Sequence, residues 1–131
     1  MNKKFLTAGA IFAAIAVIGG AFGAHFLKTK LTPESLQTFE TAVRYQFYHA
    51  FALIAVGILY KEYPGKLLKL SGNLFIAGII LFSGSLYLLC RLTTMKWIGA
   101  VTPLGGLCFI AGWLLMAVNL LKKNHVVNRP E

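Results

Sequence analysis

Acidic residues are almost missing from this sequence. It contains no aspartate and only four glutamates, Glu34, Glu40, Glu62 and Glu131, none of which we place inside the membrane. Proton relays and acid–base catalysis within a membrane depend on buried carboxylates, often in pairs. The sequence therefore argues against a carboxylate proton relay, a paired-carboxylate mechanism and an aspartyl enzyme.

Cysteine is rarer still, with only Cys90 and Cys108. Two cysteines are too few for a disulfide scaffold. The sequence also has no Cys-x-x-Cys, Cys-x-x-Cys-His or His-x-x-x-His spacing of the kind that holds metals or haem. A disulfide between the two cysteines stays an alternative outside the cytoplasm, but we expect two unpaired buried thiols.

Charged residues make up only 13% of the chain, whereas 57% of its 131 residues are hydrophobic. Soluble domains average roughly 25% charged and roughly 45–50% apolar residues. A soluble fold of this length could not hide so much apolar surface from water, so the bilayer must be the solvent. The composition predicts an integral membrane protein with one domain over residues 1–131.

The formal net charge of +9 raises the question of nucleic-acid binding. The basic residues stand between apolar runs and do not form one patch, which is typical of lysines and arginines that anchor helix ends in the headgroups. We therefore expect the lipid bilayer as the partner of the basic residues, and no nucleic acid.

Four apolar runs are each long enough to cross a bilayer core of ~30 Å as a helix. They predict an all-α fold, an integral membrane four-helix bundle with helices at about 5–27, 33–60, 70–90 and 103–121. In the second helix we expect an interfacial amphipathic part that continues without a break into a crossing over about 42–60.

Two Thr-Pro pairs indicate helix starts, with threonine as the cap and proline at the first helical position. Thr32 and Pro33 begin the second helix. Thr102 and Pro103 place the start of the last helix at Pro103, with residues 97–101 as an interfacial or partly re-entrant lead-in.

The first apolar run also loosely fits a secretory signal with a cleavage site at Ala21-Phe22-Gly23. We favour an uncut transmembrane helix, because the apolar run continues past that site and carries small residues at helical spacing.

Small residues recur at helical spacing and form stripes along which helices can approach closely. Because these stripes outnumber the partners inside one bundle, we expect a homo-oligomer. The expected packing residues are Gly9, Ala13, Ala16, Gly20, Gly23, Gly78, Gly105 and Gly106.

Four crossings place both chain ends and the turn at residues 61–69 on one side of the membrane. That side carries eight lysines and arginines, including Lys122, Lys123 and Arg129 of the tail, against five on the other side. The positive-inside rule then predicts cytoplasmic N- and C-termini.

The residues least suited to lipid gather on the opposite, non-cytoplasmic side, where each needs a partner, water or a functional role. The simpler interpretation is that Arg44 snorkels or pairs with Glu40, and that His49 forms a hydrogen bond across a helix interface. The alternative is a ligand-binding or proton-handling cluster. Its candidate residues are His25, Arg44, Tyr45, Gln46, His49, Ser83, Ser85, Tyr87 and Thr102.

Four motifs in order resemble those of one family. They are Gly20-Ala21-Phe22-Gly23-Ala24-His25, the stretch 39–50, Leu81-Phe82-Ser83-Gly84-Ser85-Leu86-Tyr87, and Thr102-Pro103-Leu104-Gly105-Gly106. By these motifs the chain resembles the YgdD/YwdK family of small membrane proteins, domain of unknown function 423. The resemblance implies a multi-pass, four-helix protein of the plasma (bacterial inner) membrane, and it implies no catalytic residues.

Two functional classes remain. We expect a non-enzymatic bundle that binds or passes a small molecule, lipid headgroup or ion at the polar cluster near the outer leaflet, without a cofactor. The alternative is a haem- or metal-binding redox protein that uses His25 and His49, because facing imidazoles in a bundle can ligate haem, copper or zinc. A serine nucleophile beside His49 is disfavoured, because membrane serines more often bond between helices.

Overall fold

The structure is a computed structural model that describes residues 1–122. It contains four long helices: α1, Lys3–Leu27; α2, Pro33–Leu59; α3, Lys66–Arg91; and α4, Lys96–Leu121. All four are long and apolar enough to cross a membrane, and no strand occurs between residues 1 and 122. The predicted all-α, four-helix membrane fold is confirmed. The tail charges counted above at Lys123 and Arg129 lie outside the described residues.

The start of α2 follows the sequence signal. Thr32 caps the helix by accepting a hydrogen bond on its Oγ1 from the backbone N–H of Ser35 at 3.2 Å, and Pro33 stands in the first turn. Glu34 is also in the first turn, where its negative charge suits the positive end of the helix dipole. The helix then runs unbroken from its amphipathic beginning into the apolar crossing.

The predicted start of the last helix at Pro103 is wrong. α4 begins at Lys96, so residues 97–101 are helical and Pro103 lies inside the helix. A proline removes one backbone hydrogen bond, but membrane helices tolerate it where neighbouring helices and Ser or Thr side chains support the backbone. Here the hydroxyl groups of Thr102 and Ser85 are 2.6 Å apart and tie α4 to α3 at this level.

α1 and α3 each contain one wider, π-helical turn, at Gly19–Gly23 and at Ile79–Ser83. Such turns inside α-helices are frequent at functional sites. Nothing in the apolar periodicity of either segment indicated them.

Close approach of helices depends on glycines that face backbone. A methyl group at Gly9 would come within 2.7 Å of the carbonyl oxygen of Ala50, so α1 and α2 are in contact there. The stripe of α1 continues along α2: Ala16 is buried, and Gly20 and Gly23 face the side chains of α2, whereas Ala13 is partly exposed.

The glycines of α3 and α4 face each other in the same manner. A methyl group at Gly78 would lie 3.2 Å from the carbonyl oxygen of Gly105, and one at Gly105 would overlap the backbone of Phe82. Gly106 has more room, since its nearest neighbour would be the Phe82 ring at 3.9 Å. The small residues thus find partners within the chain, which removes the surplus-stripe argument for an oligomer. The homo-oligomer stays a prediction.

The apolar core lies towards the end of the bundle that holds the N-terminus. It is built from Phe5 of α1, Leu53 and Val56 of α2, and Leu68 and Phe75 of α3, all of them completely buried. Outside this core, many large apolar side chains on all four helices are exposed, as expected of surfaces that face lipid.

Two side-chain hydrogen bonds connect helices and loops at one end of the bundle. Asn119 at the end of α4 donates its Nδ2 to the carbonyl of Tyr63 at 3.0 Å, and Lys4 donates its Nζ to Oδ1 of Asn73 at 3.0 Å. This end, with the N-terminus, the connection at residues 60–65 and the end of α4, is called the terminal face. The opposite end, with the connections at 28–32 and 92–95, is called the distal face.

Gly105→Ala is expected to lower the thermal unfolding midpoint in detergent, because the added methyl overlaps backbone atoms of Phe82 that cannot rotate aside. Over-packing costs about 1–3 kcal/mol, which outweighs a helix-propensity gain of about 1 kcal/mol. Circular dichroism against temperature measures the midpoint. Gly84→Ala is the control, since nothing lies within 4 Å of its Cβ position; equal midpoints for the two variants would contradict the proposed contact.

Candidate functional site

Gln46 joins three helices in the interior of the bundle. Its Nε2 donates to the backbone carbonyl of Phe12 in α1 at 2.9 Å, and its Oε1 accepts from the hydroxyl of Tyr87 in α3 at 2.7 Å. Only 3% of its surface is exposed. Both ends of the amide are therefore used, one on each neighbouring helix.

His49 lies one turn further along α2 and faces α4. Its Nδ1 is 2.7 Å from the carbonyl oxygen of Tyr45, and its Nε2 accepts from the indole N–H of Trp113 at 3.1 Å. Because a carbonyl only accepts and an indole N–H only donates, Nδ1 must carry the proton and Nε2 must be bare. The ring stacks on Phe109 with 3.5 Å between centroids. His49 is thus a neutral link between two helices.

Phe109 and Trp113 were missed by the sequence reasoning. A tryptophan in the middle of an apolar helix has an N–H that needs an acceptor, and this was the one signal that could have directed attention to Trp113.

The serines also form bonds between helices. Ser83 donates to the carbonyl of Ala42 at 2.7 Å, and Ser71, which was not among the predicted residues, donates to the carbonyl of Gly112 at 2.7 Å. Ser85 is shared between Thr102 and the carbonyl of Phe82. Within residues 1–122 no buried side-chain nitrogen or oxygen is without a hydrogen-bond partner. A serine nucleophile would find no free base here, since both nitrogens of His49 are occupied.

His25 and His49 are not brought together. His25 is exposed in the last turn of α1, near the distal face. Gln46 contacts Phe12 of α1, and His49 lies one turn beyond Gln46, closer to the terminal face. Thirteen residues of helix correspond to about 20 Å. The predicted juxtaposition of the two histidines is therefore wrong, and they cannot ligate one metal or haem. Cys90 and Cys108 are free thiols, the first buried and the second half-buried.

Tyr45 and Arg44 of α2 are both exposed. The Tyr45 ring packs against Phe82 with 4.6 Å between centroids, and 38% of the residue is exposed. Arg44 is exposed and does not form the ion pair with Glu40 that was one of two simpler interpretations: no nitrogen–oxygen distance between their side chains is within 4.0 Å.

A cleft of about 460 Å³ opens at the distal face, between the end of α1, the start of α2 and the end of α3. Two of its residues are cations and none is acidic. The Nζ of Lys30 lies 3.9 Å from the centroid of the Phe26 ring, and Tyr87 connects the cleft wall to Gln46. The residues of this distal cleft are Phe26, Leu27, Lys30, Leu31, Phe39, Tyr87, Cys90 and Arg91.

A second groove, of about 300 Å³, lies on the other side of Phe39, which is part of both walls. It runs between the π turn of α1 and the first half of α2. The residues of this α1–α2 groove are Gly20, Ala24, Phe39, Glu40, Val43, Arg44, Phe47 and Tyr48.

Both clefts lie within the part of the chain that a known family shares. A family model described as a protein of unknown function, DUF423, matches residues 19–106. The chain belongs to the DUF423 family. This confirms the family resemblance stated from the four motifs.

Relatives of this DUF423 chain are named UPF0382 membrane proteins. One from Staphylococcus saprophyticus is 44% identical over 92% of this chain and 98% of its own length. YwdK of Bacillus subtilis is 45% identical over 92% of this chain and 98% of its own length. No solved structure matches the chain. The names agree with the membrane fold and state no activity.

Removal of the Gln46 amide tests the interior network of this DUF423 protein. Gln46→Leu is expected to lower the unfolding midpoint, because the Tyr87 hydroxyl loses its acceptor at a cost of about 1–3 kcal/mol. The double variant Gln46→Leu/Tyr87→Phe should lose less than the sum of the single variants, because no unpaired hydroxyl remains. Gln37→Leu, on the exposed side of α2, is the control. Strictly additive losses would show that the two side chains are not coupled.

Proposed function

We propose that this protein is a non-enzymatic membrane bundle that binds an anionic amphiphile, of the acidic phospholipid class, in the distal cleft. The observation that carries the proposal is the charge of that cleft. Lys30 and Arg91 stand in walls that otherwise hold apolar side chains, one tyrosine and one cysteine.

The two cations supply the charge recognition. Neither forms an ion pair with a carboxylate in the part of the chain that the structure describes. The planar guanidinium of Arg91 suits two oxygens of one phosphate, whereas the ammonium of Lys30 acts as a point charge. At the edge of a bilayer such charges attract the phosphate groups of acidic lipids.

The apolar walls favour an amphiphile over a free inorganic anion. Phe26 is 62% exposed and, with Leu27, Leu31 and Phe39, offers a surface for the first part of an acyl chain. A volume of about 460 Å³ is within the range of roughly 300–1,000 Å³ that ligand sites occupy. A headgroup with its glycerol fits these dimensions better than a whole lipid does.

We propose a non-enzymatic role because the polar side chains of the interior are already hydrogen-bonded within the protein. The hydroxyls of Ser83, Ser85 and Tyr87 and both nitrogens of His49 are engaged with the protein itself. They hold helices together, and the network contains no nucleophile beside a free base among the described residues.

The proposal also places the distal cleft in the outer leaflet of the plasma membrane. This orientation follows from the excess of lysines and arginines at the terminal face, because that excess favours a cytoplasmic position for the terminal face.

Binding of the acidic lipid can be measured on purified, delipidated protein. We expect native mass spectrometry to show phosphatidylglycerol retained in preference to phosphatidylcholine. Lys30→Gln/Arg91→Gln should weaken phosphatidylglycerol binding at least about tenfold, because each charged hydrogen bond is worth about 1.5–3 kcal/mol. Lys28→Gln is the matched control, since Lys28 is an exposed neighbour outside the cleft. Unchanged affinity in the double variant would disprove the site.

Orientation is tested by single cysteines in a variant that lacks Cys90 and Cys108. A membrane-impermeant maleimide applied to intact cells should label Lys28→Cys and Lys96→Cys at the distal face. It should leave Lys66→Cys at the terminal face unlabelled until the cells are opened. Labelling of Lys66→Cys from outside would reverse the topology and move the distal cleft to the inner leaflet.

A further inference from the structure

Glu40 and Arg44 are opposite charges that do not neutralise each other. They are four residues apart on α2 with the glutamate first, the order that most favours a helix ion pair. Both side chains are nevertheless exposed, lie beyond the ion-pair distance of 4.0 Å and line the same α1–α2 groove. Two separated opposite charges on one wall suit a ligand that is itself dipolar.

The depth of Arg44 indicates what its counter-ion is. α2 begins at Pro33 on the distal face, and Arg44 is eleven residues further, about 16 Å along the helix axis. A guanidinium at this depth is costly without an anion. Among the described residues no carboxylate lies within ion-pair distance of Arg44, and the anion that a bilayer offers at the border of its hydrocarbon core is a lipid phosphate.

The order of the two charges along α2 narrows the class of ligand further. Glu40 is one turn, about 6 Å, closer to the distal face than Arg44. In a zwitterionic phospholipid the phosphate is next to the glycerol and the ammonium is further towards water. The groove therefore carries its cation at the level of the phosphate and its anion at the level of the ammonium. An acidic headgroup, with no ammonium, would leave the Glu40 carboxylate facing another negative charge.

The remaining walls suit the rest of such a headgroup. Gly20 and Ala24 leave room beside the π turn of α1, and Val43, Phe47 and the exposed Tyr48 give an apolar border. A carboxylate forms hydrogen bonds with a primary ammonium but not with a quaternary choline group, which has no N–H to donate.

We propose that the α1–α2 groove is a second lipid site, which binds an aminophospholipid with its phosphate at Arg44 and its primary ammonium at Glu40. It differs in charge from the distal cleft, from which it is separated by Phe39. It does not depend on the function proposed for that cleft.

The decisive variant exchanges the two charges, Glu40→Arg/Arg44→Glu, since it keeps composition and net charge and reverses only their order. The purified full-length chain is titrated with phosphatidylethanolamine and phosphatidylcholine, and bound lipid is counted by native mass spectrometry. The wild type should prefer phosphatidylethanolamine about tenfold, a difference of one charge-assisted hydrogen bond. The exchanged variant should lose that binding.

Single variants separate the two roles and cover the case in which the exchange prevents folding. Arg44→Gln should weaken both lipids alike, whereas Glu40→Gln should abolish only the preference for phosphatidylethanolamine over phosphatidylcholine. Retained preference in the exchanged variant or in Glu40→Gln would overturn the proposal. Phosphatidylglycerol binding should be unchanged in the Glu40 and Arg44 variants, and phosphatidylethanolamine binding unchanged in Lys30→Gln/Arg91→Gln, so the two lipid sites can fail separately.

Discussion

The side-chain amide of Gln46 fixes how three helices stand relative to one another. Within lipid, apolar surfaces gain little by turning towards each other, so the specificity of helix association depends on close contacts at small residues and on hydrogen bonds. Gln46 bonds to the backbone of α1 on one side and to Tyr87 of α3 on the other. Since Tyr87 also lines the distal cleft, the shape of that cleft depends on an interior contact.

The polar interior and the charged edges of the bundle have different roles. Gln46, His49 and Ser83 each form a hydrogen bond with a neighbouring helix. Arg91 and Arg44, which have no protein counter-ion among residues 1–122, line the distal cleft and the α1–α2 groove respectively. In the two proposals, recognition of lipid headgroups therefore belongs to these clefts and not to the hydrogen-bonded interior.

Local patterns predicted the four helices and the Thr32 cap, because each depends on neighbouring residues in the chain. They indicated small-residue stripes but not which helix packs against each stripe. Other features depend on packing or on the solvent. Pro103 indicates a helix start in water, but in a bilayer the backbone before it must also be bonded, so α4 continues. Because successive helices alternate in direction, the sequence could indicate that His25 and His49 belong to the same side of the membrane. Their difference in depth became visible only from the contact of Gln46 with Phe12.

The wide turn at Gly19–Gly23 determines the direction around the helix axis in which all later side chains of α1 point. Such a turn holds about one residue more than an α-helical turn, so the last part of the helix is rotated by about 100° relative to an uninterrupted one. That rotation decides which side chains of Ala24–Leu27 border the neighbouring helices and which meet lipid. A relative whose first helix is equally long but has no wide turn would still cross the membrane. Different side chains at the end of that helix would then face the lipid.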